Sequence, residues 1–286
     1  MSGLLQMTLG LSNIERPGTD TYRLCQSNHY QEPPKNNMNT ILITGCSSGF
    51  GLETAKYFLD RDWNIIATMR TPREDVLPRS AHLRVLALDV TDPDSIHRAV
   101  EAAGPIDALV NNAGFGAASP FEATPMATIR ELFETNTFGT MALTQAVLPQ
   151  FRQRRAGVVV NVTSSVTLRS IPLIASYTAT KAAVNAFTES MALELAQFGV
   201  RARLVLPGRS PETRFGDTAR AHAQGLDHAA YAELVQSVFA RFGDGGPVTH
   251  AQDVAEAVWR AVTDPSSPMR IPAGADAVIW AAESRA

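Results

Sequence analysis

The feature that most constrains the fold of this chain is an alternation, from Thr40 onward, of compact apolar runs with amphipathic stretches. Each apolar run is long enough for a buried strand and too short for a typical helix. Parallel strands need a long crossover, usually a helix, so this alternation is typical of βαβ units and predicts one α/β domain with a central parallel sheet. The predicted strands are Thr40 to Thr44, Asn64 to Thr68, Leu83 to Leu88, Ala108 to Asn111, Val158 to Val162 and Val200 to Leu206, and a brief extended stretch is expected around Arg270 to Pro272.

The amphipathic stretches predict the helices that connect these strands. They are Leu52 to Asp60, Asp94 to Ala103, Ala127 to Gln153, Ser176 to Phe198 and Asp253 to Val262. Pro149 is expected to kink or stop the third helix, because proline lacks the amide hydrogen that a helix interior needs. After Leu206 the alternation of apolar runs and amphipathic stretches is interrupted. Residues 208–246 predict a helical lid over the carboxyl edge of the sheet.

The first 38 residues have a different character from the rest of the chain. They are polar, rich in asparagine and interrupted by proline, and they show neither helical nor strand periodicity. We therefore expect residues 1–38 to be a flexible N-terminal extension and residues 39–286 to form the domain.

The charge of the chain indicates which partners it can bind, and its cysteines and histidines indicate whether it has disulfides or a metal site. A formal net charge of −3 and an isoelectric point near 6.1 provide no attraction for polyanions, so we expect a small-molecule partner and no nucleic acid. Two isolated cysteines and scattered histidines predict no disulfide framework and no metal site, which fits a cytoplasmic protein. We expect no membrane span, because no run of about 18 consecutive apolar residues occurs.

A glycine-rich loop joins the first predicted strand to the first predicted helix, where residues 44–51 read TGCSSGFG. Glycines at such a junction permit a tight turn and a close backbone approach to a pyrophosphate, and the helix start offers free N–H groups to the anion. An ordinary glycine-rich turn is the alternative. The candidate phosphate-binding residues of this loop are Gly45, Ser47, Ser48, Gly49, Phe50 and Gly51.

The end of the second predicted strand bears on which dinucleotide binds. An acidic residue about 20 residues past the loop would select NAD, because it binds the ribose 2′-hydroxyl. Met69 stands there, followed by Arg70, whose guanidinium suits a 2′-phosphate. This favours NADP(H) over NAD(H), unless Arg70 is only a solvated charge.

Tyr177 and Lys181 are four residues apart and therefore lie on one face of a predicted helix. A nearby ammonium stabilises a phenolate, so Lys181 is expected to lower the pKa of Tyr177 toward the range in which it could exchange a proton. A tyrosine and a lysine at this spacing also occur by chance on solvated helices.

Taken together, these motifs closely resemble the short-chain dehydrogenase/reductase family over residues 39–275, and within it the branch of retinol and 17β-hydroxysteroid dehydrogenases. The resemblance implies a doubly wound, Rossmann-type domain that interconverts an alcohol and a ketone or aldehyde. It also implies a catalytic tetrad. In that tetrad Tyr177 exchanges the proton, Ser164 binds the substrate oxygen, Lys181 holds the nicotinamide ribose and Asn136 positions a relay water.

Further cofactor contacts are implied by the same resemblance. They are Asp89, Val90, Asn112, Ala113, Gly114, Pro207 and Gly208, together with Tyr177 and Lys181 of the tetrad. Thr213 stands one residue later after Pro207 than the family pattern expects. The substrate would be read by the predicted lid, whose aromatic residues include Phe215. A homodimer or homotetramer is expected, and a non-catalytic NADP(H) sensor or scaffold is the alternative to an enzyme.

Overall fold

The computed structural model describes residues 38–73, 75–242 and 245–284. The extension predicted for residues 1–38 thus lies outside the described residues, Met38 excepted. Seven parallel strands form one sheet in the order β3-β2-β1-β4-β5-β6-β7. They are β1 Thr40–Thr44, β2 Asn64–Met69, β3 Leu83–Ala87, β4 Ala108–Asn111, β5 Gly157–Val162, β6 Val200–Pro207 and β7 Arg270–Ala273. The predicted parallel sheet is confirmed, with strand boundaries within one residue of the expected ones.

Helices cover both faces of the sheet, because successive strand side chains point to opposite sides. Ile41 and Ile43 of β1 pack with Phe58 on one face, whereas Leu42 packs with Phe151 on the other. The helices are α1 Gly49–Leu59, α2 Pro93–Ala103, α3 Met126–Phe133, α4 Gly139–Arg154, α5 Ala175–Leu195, α6 Phe215–Ala221, α7 Ala232–Phe242, α8 Ala251–Thr263 and α9 Ala275–Glu283. Each face therefore has its own hydrophobic core, as a doubly wound fold requires.

The helix predicted over residues 127–153 is interrupted. Its two halves, α3 and α4, are joined by a π-helical segment at Glu134–Phe138. Of the kink or stop expected at Pro149, the stop is wrong, because α4 continues to Arg154, one residue beyond the predicted end of the helix. A π segment inside a helix often marks a functional site, and this one contains Asn136.

The order of the strands determines where a ligand binds. Connections run outward in one direction from β1 to β3 and in the other from β4 to β7, so the order reverses between β1 and β4. Open α/β sheets bind ligands at such a switch point, outside the carboxyl ends of the strands. The segment between β6 and α8 contains α6 and α7, as the predicted helical lid requires. Among the helices of the described ranges, none has both the length and the apolarity to cross a bilayer.

Candidate active site

The glycine loop lies at the carboxyl end of β1, at the switch point. Gly45 and Gly49 adopt φ values of +75° and +60°, which side chains other than glycine rarely adopt. Helix α1 begins at Gly49, and the side chain of its N-cap residue Ser48 makes no capping hydrogen bond. The first turn of α1 therefore keeps backbone N–H groups available for an anion.

Asn112 holds this loop against the end of β4. Its side-chain Nδ2 donates to the carbonyl oxygen of Thr44 at 2.8 Å, and the Thr44 hydroxyl accepts from the backbone N–H groups of Asn112 and Ala113 at 2.9 and 2.8 Å. A Cβ on Gly51 would lie 2.6 Å from the same Nδ2, so this glycine permits the close packing of α1 on the loop. Asn112 and Gly51 thus shape the loop from behind.

A cavity of about 900 Å³ opens in front of the loop. Eleven of the predicted cofactor residues line it: Gly45, Ser47, Ser48, Gly49, Phe50, Arg70, Asp89, Val90, Asn112, Ala113 and Gly114. Gly51, Pro207 and Gly208 do not line it, and neither do Tyr177 and Lys181. Gly208 instead lies so close to the buried carboxylate of Asp276 that a Cβ on this glycine would overlap the carboxylate oxygens.

Two predicted residues of opposite charge lie at the end of the cavity near β2 and β3. The Asp89 carboxylate accepts from the N–H of Thr91 at 2.9 Å and from its hydroxyl at 2.7 Å. These bonds, and to a smaller extent the charge of Arg70, hold the pKa of Asp89 below its usual value despite partial burial. Asp89 is therefore a fixed anion, and the exposed Arg70 is the cation beside it.

Tyr177 and Ser164 meet beyond the other end of the cavity. Tyr177 lies in the first turn of α5, and Ser164 follows β5. Both side chains are buried, and a hydrogen bond from Ser164 partly opposes the effect of burial, which raises the pKa of the Tyr177 phenol. The structure therefore brings the predicted proton donor and the predicted oxygen-binding hydroxyl together.

Lys181 is buried on the same helix, and its Nζ donates to the carbonyl oxygen of Val162 at 3.1 Å. Burial lowers the pKa of Lys181 to about 8. The Nζ lies 6.0 Å from the centre of the Tyr177 ring, and the pKa of Tyr177 is raised, not lowered as expected. The reason is that burial has a larger effect on the pKa of the phenol than the Ser164 hydrogen bond has.

Asn136 is fully buried in the π segment. Its Oδ1 accepts from the backbone N–H of Phe115 at 3.0 Å, and its Nδ2 donates to the Phe115 carbonyl at 2.9 Å and to Thr180 Oγ1 at 3.1 Å. A Cβ on Gly114 would lie 2.8 Å from Asn136 Oδ1 and 3.4 Å from Lys181 Nζ. Gly114 is thus the point at which the cavity reaches the predicted tetrad.

Sequence reasoning missed residues that shape the site from a distance. Thr44 is one of them, although a hydroxyl at the end of a strand and beside a glycine loop could have been predicted to hold that loop. Asp276 is another, since its carboxylate accepts from the Arg209 N–H at 2.6 Å and from Thr249 Oγ1 at 2.7 Å. Nothing in the sequence connects Asp276 to Pro207 and Gly208, because the contact spans 67 residues.

Residues 39–224 match a family model described as short chain dehydrogenase. The chain belongs to this family. It is 35% identical over 241 residues to the uncharacterized oxidoreductase YusZ of Bacillus subtilis, with 79% of this chain and 85% of that protein covered. It is therefore a member of an oxidoreductase family whose fold the structure shares, as the motifs indicated.

Two further comparisons refine this assignment. Retinol dehydrogenase 8 of Homo sapiens is 37% identical over 180 residues, which cover 59% of this chain and 58% of that protein. This confirms the resemblance to the retinol dehydrogenase branch. A short chain dehydrogenase of Burkholderia cenocepacia, solved in complex with NADP, has a TM-score of 0.71 and 25% identity, with 87% of this chain and 93% of that chain covered.

Proposed function

We propose that this protein is an NADP(H)-dependent oxidoreductase that interconverts an alcohol and a ketone or aldehyde. One observation carries the proposal. Tyr177 is hydrogen-bonded with Ser164, and Lys181, on the same helix, brings its Nζ close to Gly114, which lines a cavity of about 900 Å³ in front of the glycine loop. A buried phenol and a hydroxyl that are hydrogen-bonded to each other suit a reaction that creates or consumes alkoxide charge.

The cavity fits a dinucleotide in shape and in charge. Gly45 and Gly49 have the positive φ values that turn the loop tightly, and the N-terminus of α1 would provide N–H groups for the pyrophosphate. Arg70 at the far end would pair with a 2′-phosphate, which is why we assign NADP(H). The nicotinamide cofactor supplies or accepts the hydride when it is bound.

The protein's own residues handle the oxygen and its proton. In reduction, Ser164 Oγ and Tyr177 Oη would bind the carbonyl oxygen, and Tyr177 would give its phenolic proton to that oxygen as the C–H bond forms. Lys181 would stabilise the phenolate left behind, because a cation favours the charged form of a nearby group. Asn136 and Phe115 fix the loop beside Gly114, so that the tetrad and the cavity keep their relative positions.

The test is Tyr177→Phe, assayed by nicotinamide absorbance against a panel of alcohols, ketones and aldehydes. Loss of the phenolic proton should remove most turnover, by a factor of about 10² to 10⁴, whereas NADPH affinity should stay near the wild-type value. Retention of more than about a tenth of wild-type turnover would overturn the role of Tyr177. If nucleotide binds but no substrate turns over in the wild type, a sensor or scaffold is favoured.

We also propose a homodimer or homotetramer. The large apolar side chains of Leu193 on α5 and Phe138 beside α4 are 81% and 52% exposed. Burial of such side chains between two copies would remove apolar surface from water. Sedimentation that shows only monomer at micromolar concentration would contradict this proposal.

A further inference from the structure

The ring of Phe215 lies against the ring of Tyr177. The two ring centroids are 5.3 Å apart, with the planes inclined by 57°. Phe215 lines the cavity and is 40% exposed, whereas Tyr177 is 7% exposed and does not line it. The first residue of α6 therefore covers the phenol on the side that faces the cavity.

Besides Tyr177, the ring of Phe215 packs against Gly116. A Cβ on Gly116 would lie 2.6 Å from the Cζ of Phe215, closer than two carbon atoms can approach without displacement. The ring thus fits into a space that exists because residue 116 has no side chain. Phe215 is held between the catalytic helix α5 and the loop that follows β4.

The rest of α6 is attached to the same loop. The imidazole of His222, the residue that caps α6 at its C-terminal end, packs on Phe115 with ring centroids 4.6 Å apart. Before α6, Glu212 accepts from the N–H of Ala251 at 2.6 Å and contacts His250 Nδ1 at 3.1 Å. The helix that carries Phe215 is therefore anchored at both ends, and the ring itself is the part that lies over the phenol.

We propose that Phe215 is a specificity-determining residue that screens Tyr177 from the cavity and sets the size of group accepted beside the reacting carbon. The inference rests on the proposed function, because it takes Tyr177 as the proton donor. A substrate oxygen reaches the phenol only when the Phe215 ring moves away from it. A compact carbonyl needs a small displacement, whereas a branched or ring-bearing ketone needs a larger one and is selected against.

Accessibility of Tyr177 can be measured without any substrate. Tetranitromethane nitrates accessible phenols, and peptide mass spectrometry gives the nitration of Tyr177 relative to Tyr57 in the same digest. Phe215→Ala should raise the relative nitration rate of Tyr177 at least about fivefold, because a covered group reacts only in the fraction of molecules that are open. Phe239→Ala is the matched control, since Phe239 is 39% exposed, lies on α7 and does not line the cavity.

A second variant, Gly116→Ala, should expose Tyr177 by adding a methyl group that displaces the Phe215 ring. Gly116→Ala places a methyl group where the tip of the Phe215 ring lies, so it should also raise the nitration of Tyr177 while Phe239→Ala keeps the wild-type value. Phe215→Ala removes the ring, whereas Gly116→Ala adds a methyl group that pushes the ring away. If both variants raise the nitration of Tyr177, the cause is the loss of the ring from its position over the phenol and not a general loosening of the fold. Wild-type nitration of Tyr177 in both variants would overturn the proposal, as would Tyr177 reacting as fast as Tyr57 in the wild type.

The size selection is tested on the carbonyl panel with NADPH. Phe215→Ala should lower KM for bulky ketones at least about fivefold relative to compact aldehydes, whereas Phe239→Ala should leave that ratio unchanged. Unchanged ratios in Phe215→Ala would contradict the role in specificity. If nitration responds as expected but the wild type reduces no carbonyl, the screening of Tyr177 stands and the proposed function fails. If the wild type reduces carbonyls but nitration does not respond, the proposed function stands and the screening fails.

Discussion

The side chain of Asn136 makes two hydrogen bonds to one residue, accepting from the N–H of Phe115 at 3.0 Å and donating to its carbonyl oxygen at 2.9 Å. A third bond to Thr180 occupies the remaining amide hydrogen. Both amide hydrogens are thus used by protein atoms, and these bonds tie the loop after β4 to the π segment and to α5. We propose that Asn136 acts by positioning these segments, and its backbone carbonyl also accepts a hydrogen bond from Thr140 Oγ1 at 2.9 Å.

Asn136→Asp should therefore destabilise the fold as well as the activity. A carboxylate keeps the acceptor for the Phe115 N–H but loses both donors and faces the Phe115 carbonyl from a fully buried position. The free energy of unfolding should fall by about 2 to 4 kcal/mol in urea denaturation. Gln150→Glu is the control, because its Oε1 accepts from the Ile106 N–H and a carboxylate retains that acceptor. Equal stability of the two variants would contradict the positioning role.

The sheet could be predicted from the sequence because its signal is local. Buried parallel strands appear as short apolar runs, and six of the seven lie where such runs occur, whereas β7 lies at the brief extended stretch expected around Arg270 to Pro272. The π segment at Glu134–Phe138 could not be predicted, since one extra residue in a helical turn leaves the pattern of apolar and polar residues almost unchanged. Pro149 does not stop the helix, which was one of the two expected outcomes, because α4 continues past it, with Val147 and Phe151 on either side fully buried in the core.

Some features of the site could likewise be predicted from local sequence, whereas others depend on contacts between distant segments. The glycine loop and the pair Tyr177 and Lys181 are set by spacing within one junction or one helix. The raised pKa of Tyr177 and the position of Phe215 over its ring depend on how β5, α5 and α6 pack, which no local pattern records. The extent to which Tyr177 is buried therefore could not be predicted from the sequence, and burial is what raises the pKa of its phenol.

Arg70→Ala should weaken NADP(H) binding and leave NAD(H) nearly unaffected. A charge-assisted contact to the 2′-phosphate contributes roughly 1.5 to 3 kcal/mol, which corresponds to about a tenfold to hundredfold change in affinity. Arg73→Ala is the matched control, because Arg73 pairs with Asp75 at 3.6 Å and does not line the cavity. Fluorescence titration of both nucleotides at fixed ionic strength checks this, and wild-type affinity for NAD(H) equal to that for NADP(H) would refute the preference.

Gly208→Ala should lower the stability of the carboxyl edge of β6. The added methyl group would overlap the Asp276 carboxylate, which is held by Thr249 and by the N–H of Arg209 and has no room to retreat without breaking those bonds. We expect a loss of about 2 kcal/mol, measured by chemical denaturation. Gly216→Ala is the control, because a Cβ there meets only the Arg220 guanidinium at 3.6 Å. Matching losses in the two variants would contradict the packing argument.

The buried ammonium of Lys181 should make stability depend on pH in the alkaline range. The pKa of Lys181 is about 8 in the folded protein, whereas its ordinary value of 10.5 applies to the unfolded chain. Between pH 8 and pH 10.5 the unfolded chain therefore binds more protons at this residue than the folded protein does. Stability from this group therefore rises with pH across that window, because the folded state favours the neutral amine. The contribution should increase by about 1.5 kcal/mol between pH 8 and pH 9.5.

The difference between wild type and Lys181→Met isolates this effect. Other buried groups act in the opposite direction, since burial raises the pKa of Cys46 to about 12 and that of Tyr177 as well, and both lower the stability of the folded state as pH rises. The contribution of Cys46 is common to the two proteins and cancels in the difference, and Tyr177 contributes little below pH 9.5, because its phenol is mostly protonated there in both the folded and the unfolded state. Urea denaturation at pH 7, 8 and 9.5 should thus show the stability of wild type rising relative to Lys181→Met. A constant difference across this range would mean that Lys181 keeps an ordinary pKa in the folded protein and that its Nζ is not desolvated at the site.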